Sequence, residues 1–115
     1  MSTEVIDIDG LKRLSGNDSG FVSEILKLYT ERTAKDLFEL QTARGLSDWN
    51  GVRFVVHRMR SAAVPLGLKE LVVLLRKVEN QLREEDIQGV ENHLDDISSI
   101  ASHALEDAQS KLQTV

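Results

Sequence analysis

The chain has 115 residues, no cysteine and a formal net charge of -5, from 14 Lys and Arg against 19 Asp and Glu. That length suits one domain spanning 1–115 around one core, and the lack of cysteine excludes disulfides and thiolate metal sites, with a reducing cytoplasm as the expected compartment. The acidic balance disfavours nucleic acid, whose phosphates need a basic face. The longest purely apolar run, Leu71 to Leu75, is far short of the ~20 residues of a membrane span.

The opening MSTEVIDIDG has neither a basic segment nor an apolar one, so no signal peptide is expected. One proline, few aromatics and abundant Leu, Ala, Glu, Lys, Arg and Gln make helix the dominant element. Val5 to Leu14 is expected to run from an extended lead-in into a short helix, capped by Asp7 or Asp9 and ended by Ser15-Gly16-Asn17. Asn17 or Asp18 then caps a long helix whose apolar positions Phe21, Ile25, Leu28, Tyr29, Leu37 and Leu40 recur at helical spacing, and Gly45 closes it.

Ser47 is expected to start the central helix, with Asp48 at the positive end of its dipole. Trp49, Val52, Val55, Val56, Met59, Ala63 and Leu66 form its inward stripe. Pro65 cannot donate to the Ser61 carbonyl, so this helix should kink or end near Leu66 and Gly67. Leu68, Leu71, Leu75, Val78 and Leu82 mark the next helix, with Val72, Val73 and Leu74 widening its buried face.

Arg83-Glu84-Glu85-Asp86 reads as a polar turn whose Asp86 caps a last helix. Ile87, Val90, Leu94, Ile97, Ala101, Ala104 or Leu105, Ala108 and Leu112 face inward along it. Helices of comparable length joined by short turns predict an all-α protein. The expected architecture is an antiparallel up-and-down four-helix bundle with a short extra N-terminal helix. Four helices in one chain complete a core without a second copy, so a monomer is expected.

One segment departs from the acidic background. Trp49 to Leu68 carries Arg53, Arg58 and Arg60 and no acid, with His57 in its middle. On a helix of about 100° per residue, Arg53 and Val64 lie within about 40° of His57, Ser61 about 40° to one side, and Arg60 about 60° to the other. The inward stripe lies opposite, so His57 should face solvent. An imidazole titrates near 6.5, leaving a ring nitrogen free for attack at neutral pH. Nearby guanidiniums are expected to lower that value and to offer donors to an arriving phosphoryl group, Arg60 being best placed. Phosphoryl transfer asks mainly for positioning and charge stabilisation, so a histidine and a cation are enough from one side.

Ser61 and Ala62 keep the surface beside His57 low, while Phe54 and Val64 are apolar groups on or near this face. Phe54 fits a groove edge of the core slightly better than a docking patch. Arg53 and Arg58 have even claims to touch a partner. His93 and His103 read as surface histidines, and His93 with Asp96 is only a weak metal-ligand spacing. No G-x-x-x-x-G-K-[ST] loop is present, so the chain is expected to carry phosphate without taking it from ATP.

This segment resembles the histidine-containing phosphotransfer domains, whose signature is a histidine, a cation three residues on, a small residue next, and a glycine ten residues after the histidine. Here these are His57, Arg60, Ser61 and Gly67. Val5-Ile6-Asp7, Asp48-Trp49, Leu66-Gly67-Leu68 and Glu79 also fall where such domains have similar residues, so the likeness runs from Val5 to Leu112.

The resemblance implies that His57 is phosphorylated on its far ring nitrogen. It would exchange phosphate with the aspartate of a response-regulator receiver domain, in a relay that starts at a hybrid sensor histidine kinase. The receiver would supply Mg²⁺, and the chain itself would bind no cofactor or metal. Arg60 stabilises the phosphoryl group in this reading, Arg53, Phe54, Arg58, Ser61 and Val64 meet the partner, and Pro65 and Gly67 are structural. Arg60 replaces the common Lys and Ser61 the common Gly, the latter expected to narrow partner choice or slow transfer. The alternative is a non-catalytic helical adaptor that binds a receiver or kinase through the same face.

Overall fold

Aspartate side chains start four of the five α-helices of the computed structural model, which describes residues 5–114. Asp7 accepts from the Gly10 amide (2.9 Å) at the head of α1 (Ile8–Ser15), and Asp18 from Phe21 (3.2 Å) at the head of α2 (Ser19–Gly45). Asp48 and Asp86 accept from Gly51 and Gly89, each at 3.0 Å, to open α3 (Trp49–Ala63) and α5 (Ile87–Leu112). Each carboxylate satisfies an amide that has no partner inside its helix. Only α4 (Lys69–Arg83) lacks a side-chain cap. Residues 1–4 and 115 of the expected domain lie outside the described residues.

Two of these caps also terminate the preceding helix. The Asp48 amide reaches Ala43 O (2.8 Å) and the Ser47 amide Arg44 O (3.0 Å), with Ser47 left-handed at φ 53°. Asp86 and Glu85 repeat this at Gln81 O (2.8 Å) and Leu82 O (3.2 Å), with Glu85 at φ 59°. This is the Schellman arrangement, and it folds the chain back within three residues. The left-handed residue after α2 is therefore Ser47 rather than the expected Gly45, and α3 is capped by Asp48 and starts at Trp49, two residues after the expected Ser47.

The fold is an antiparallel four-helix bundle with α1 as the short extra helix. Each long helix packs on its neighbours in sequence, and α5 closes the ring on α2. The bundle helices are not of comparable length. Those of 27 and 26 residues (α2 and α5) are ~40 Å long, and the two of 15 residues (α3 and α4) are ~22 Å. The part of the long pair beyond α3 and α4 is covered by α1 and the segment before it. The Ile6 amide donates to Asp107 Oδ2 (2.9 Å), and the Asp7 amide to Leu66 O (2.9 Å), while Ile6 and Leu11 are buried.

Inward positions on α3, and Leu71, Leu75 and Val78 on α4, lie as expected. Along α5, Ile100 joins them and Ala104 is the buried choice over Leu105. The stripe on α2 follows expectation only in part, at Tyr29 and Leu40, with Ile25 and Leu37 partly buried against the core. The buried residues are Val22, Leu26, Tyr29, Thr33, Asp36, Leu40 and Ala43, in strict four-three spacing, whereas Phe21 and Leu28 are exposed. Both registers are apolar near the start, and the true one runs through Thr33 and Asp36, whose polarity hides it. Val73 is likewise 67% exposed, on the outer side of α4.

After Ala63 the chain tightens into a 3-10 turn, Val64–Leu66, with Pro65 at its start and Gly67 left-handed at φ 69° beyond it. A side chain at position 67 would also place a Cβ 2.8 Å from Asp7 Cβ. Glycine is thus required there twice, by conformation and by close approach.

Candidate functional site

His57 stands on the outward ridge of α3 with its side chain 63% exposed. A shallow groove runs along each side of it. The α3–α4 groove brings His57 together with Arg53, Phe54, Arg60, Glu79 and Arg83. The α2–α3 groove brings it together with Arg32, Lys35, Asp36, Arg58 and Ser61.

The imidazole is asymmetric in its surroundings. Its Nδ1 faces the protein, 3.3 Å from Arg60 Nη2 and 3.6 Å from Glu79 Oε1. Among the described residues Nε2 has no hydrogen-bond partner. Arg60 is itself fixed on Glu79, its Nε donating to Oε1 (2.8 Å) and its Nη2 to Oε2 (3.1 Å). Burial pushes the Glu79 carboxyl up, but the Arg60 hydrogen bonds and charge, with His57 adding, outweigh it and hold it below its ordinary range. The Arg60 guanidinium is raised in return by its hydrogen bonds to Glu79.

Arg58 is clasped in the same way from the other side. Its Nη2 and Nε donate to Asp36 Oδ1 at 2.7 and 3.2 Å, and its Nη2 also meets Glu39. Asp36 is buried, so the pair joins α3 to α2. The hydrogen bond from Arg58 holds the Glu39 carboxyl below its usual range.

These contacts correct the expectation of an acid-free arginine cluster. The acids that balance Arg58 and Arg60 come from α2 and α4, and no local sequence window shows them. Positive charge on this face comes instead from Arg53, which makes no ion pair among the described residues, and from Arg32, Lys35 and Arg83, which sequence reading did not single out. Six cationic side chains meet three carboxylates around His57, so the face is basic within an acidic protein. The signal for Arg32 and Lys35 was their spacing on one side of α2, readable only once the α2 register is known.

Phe54 is 72% exposed, so it does not cover the core edge, and Val64 is 54% exposed on the 3-10 turn. Ser61 is exposed in the α2–α3 groove. His93 is not the plain surface histidine expected: it is half-buried, its Nδ1 held at 2.8 Å from Gly89 O and 3.1 Å from Gln81 Oε1. His103 is exposed. Among the described residues no three His, Cys, Asp or Glu side chains are grouped to hold a metal ion. No helix among them is long and apolar enough to cross a membrane.

The Hpt domain matches residues 24–114, from within α2 to the end of the bundle, leaving α1 outside the match. No curated protein and no solved structure matches the chain. The chain belongs to the Hpt domain family, the histidine phosphotransfer domains of two-component phosphorelays, which carry phosphate without an ATP site of their own and interact with receiver domains and histidine kinases.

Proposed function

We propose that His57 is the phosphoryl-accepting residue of a relay intermediate, exchanging its phosphoryl group with the aspartate of response-regulator receiver domains downstream of a hybrid sensor histidine kinase. The observation that carries this reading is the orientation of the imidazole: Nδ1 is turned to Arg60 and Glu79, and Nε2 is left without a partner on an exposed ridge.

Attack through Nε2 needs its lone pair, hence the tautomer with the proton on Nδ1. In that tautomer the acceptor nearest the proton is Glu79 Oε1, 3.6 Å from Nδ1. The other tautomer instead accepts at Nδ1 from Arg60, which can only donate. A carboxylate beside Nδ1 favours the reactive form and stabilises the positive charge that develops on the ring. The Nε2 lone pair forms the N–P bond as the P–O bond to the receiver aspartate breaks. The aspartate departs as a carboxylate, and Nδ1 keeps its proton. Return transfer reverses each step. Mg²⁺ brought by the receiver would neutralise the phosphoryl oxygens on that side.

Arg60 acts through Glu79, which it holds in place, and its charge beside the ring offsets that of the arriving group. Ser61, one turn beyond His57, sets how closely a partner backbone approaches. The test is incubation with a phosphorylated receiver domain: an acid-labile, base-stable label is expected on the wild type and none on His57→Gln. A receiver that binds but leaves no label on the wild type would support the adaptor reading instead.

A further inference from the structure

Asp36 is a buried carboxylate that the transfer chemistry above leaves unused. It belongs to the inward stripe of α2, with Leu26, Tyr29, Thr33 and Leu40. Arg58 Nε and Nη2 both donate to its Oδ1, at 3.2 and 2.7 Å, and Nη2 also meets Glu39. Burying such a pair adds little stability over apolar side chains of the same volume, because the cost of desolvating both charges offsets their attraction. Unlike an apolar contact, it is satisfied in only a narrow range of geometry.

That geometry acts on α3. Around the helix axis Arg58 lies ~100° to one side of His57 and Arg60 ~60° to the other, both within ~5 Å of it along the axis. Arg58 is tied to α2 and Arg60 to α4, each by two nitrogens on a carboxylate whose side chain is 8% or 13% exposed. The ridge that carries His57 is therefore held from both flanks in one cross-section. One fork alone leaves α3 able to pivot about it, and the second removes that freedom. Apolar packing is non-directional and packed helices slide by small amounts, so the forks set the roll of α3 about its own axis. Side chains reach ~5–6 Å from a helix axis, so a roll of ~20° carries the imidazole ~2 Å sideways. A misplacement of ~1 Å can slow a reaction about 100-fold.

We propose that Asp36 is a positioning residue for phosphotransfer, which through Arg58 fixes the roll of α3 and so aims His57 Nε2 at the receiver's phosphoryl group, a proposal that rests on the carrier reading of His57. Asp36 lines the α2–α3 groove beside His57, yet it is too buried to serve as a docking contact. Its loss therefore acts on the rate of transfer within the complex and leaves the affinity of the complex alone. The same role accounts for a carboxylate in an inward stripe, where an apolar side chain would fold as well.

The experiment follows label transfer from a phosphorylated receiver domain, with the receiver Kd measured by calorimetry and folding by circular dichroism. The proteins are the wild type, Asp36→Leu/Arg58→Met, Arg58→Lys and Asp36→Asn. The double variant replaces the whole pair by apolar side chains, so its melting temperature should match the wild type, while kcat falls about tenfold or more with KM and Kd unchanged. Arg58→Lys keeps the charge but not the fork and should lower kcat in the same way, so it carries the test if the double variant does not fold. Asp36→Asn keeps an oxygen for Arg58 and should hold kcat within about threefold of the wild type. Wild-type kcat in the folded double variant or in Arg58→Lys overturns the proposal, leaving the pair a purely structural role. A rise in KM and Kd with kcat kept overturns it by making Arg58 a docking contact. A loss in Asp36→Asn equal to that of the double variant overturns it by making charge, not hydrogen-bond geometry, the cause. Absence of label on the wild type overturns the carrier reading and this proposal with it, whereas label on the wild type with unchanged kcat in the variants overturns this proposal alone.

Discussion

Arg60 and Glu79 are joined by two hydrogen bonds across the α3–α4 boundary, at 2.8 and 3.1 Å, and the same Arg60 Nη2 lies 3.3 Å from His57 Nδ1. One helix therefore supplies the imidazole and the cation, and its neighbour supplies the carboxylate that fixes both. The site is as rigid as the packing of α3 on α4.

Removing one partner of this pair tests its structural share. Arg60→Ala leaves Glu79, 13% exposed, without its fork. A loss of about 1–2 kcal/mol is expected in urea denaturation, at the modest end for a charged hydrogen-bonded pair because solvent screens it in part. Arg60→Lys should recover only part of this, since an ammonium cannot fork across both carboxylate oxygens. Phosphotransfer should slow in both variants while helicity is retained.

Acid should dissolve the same pair. The folded Glu79 carboxyl titrates below its ordinary 4.5, so the unfolded chain takes up its proton first as pH falls. The pair's contribution is fully present above 4.5 and is lost as pH drops through the lower folded value. Glu79→Gln, which has no such proton to gain, should show a shallower loss of stability below pH 4.5. Melting curves taken from neutral pH downward check this, and equal slopes for the two proteins would contradict it.

Much of the architecture was legible because it depends on local signals. Asp86 as a cap, Asp7 and Asp18 as one of two candidates each, the break at Pro65 and Gly67, and the inward stripe of α3 all follow from residue type at short spacing, whereas α3 starts beyond its cap Asp48 and not at the expected Ser47. The α2 register was not, because its buried stripe passes through Thr33 and Asp36, and Asp36 is buried only because Arg58 from α3 meets it. The same reason hid the electrostatics of the site. His57 and Arg60 could be placed on one face from spacing alone, whereas Glu79, Glu39 and Arg32 reach that face only through tertiary packing.

The turns make an independent prediction. Ser47 and Glu85 hold left-handed conformations at φ 53° and 59°, which cost an L-residue about 1–2 kcal/mol. Glycine removes that cost but frees the unfolded chain by about 0.5–1 kcal/mol. Ser47→Gly and Glu85→Gly should each stabilise by a few tenths to about 1 kcal/mol. Gly67→Ala should do the reverse, and more strongly, because its Cβ would also meet Asp7 Cβ at 2.8 Å. Thermal melts of the three single variants check both signs.

Salt should weaken partner binding. The basic face draws on Arg32, Lys35, Arg53 and Arg83, none of which makes an ion pair with an acid among the described residues. Association with an acidic receiver site should slow as ionic strength rises past the ~10 Å screening length of 0.1 M salt. Arg32→Ala/Arg83→Ala should lower the association rate and flatten its salt dependence, which stopped-flow mixing measures.

In the proposed transfer, Nε2 of His57 takes the phosphoryl group while Nδ1 keeps its proton beside Glu79. Nitrogen-15 and phosphorus-31 NMR of the protein, labelled at its three histidines and phosphorylated by a receiver domain, tests this most directly. One phosphorus signal coupled to Nε2 of His57 is expected, with a protonated Nδ1 on the same ring. Phosphorus on Nδ1, or on His93 or His103, would contradict it.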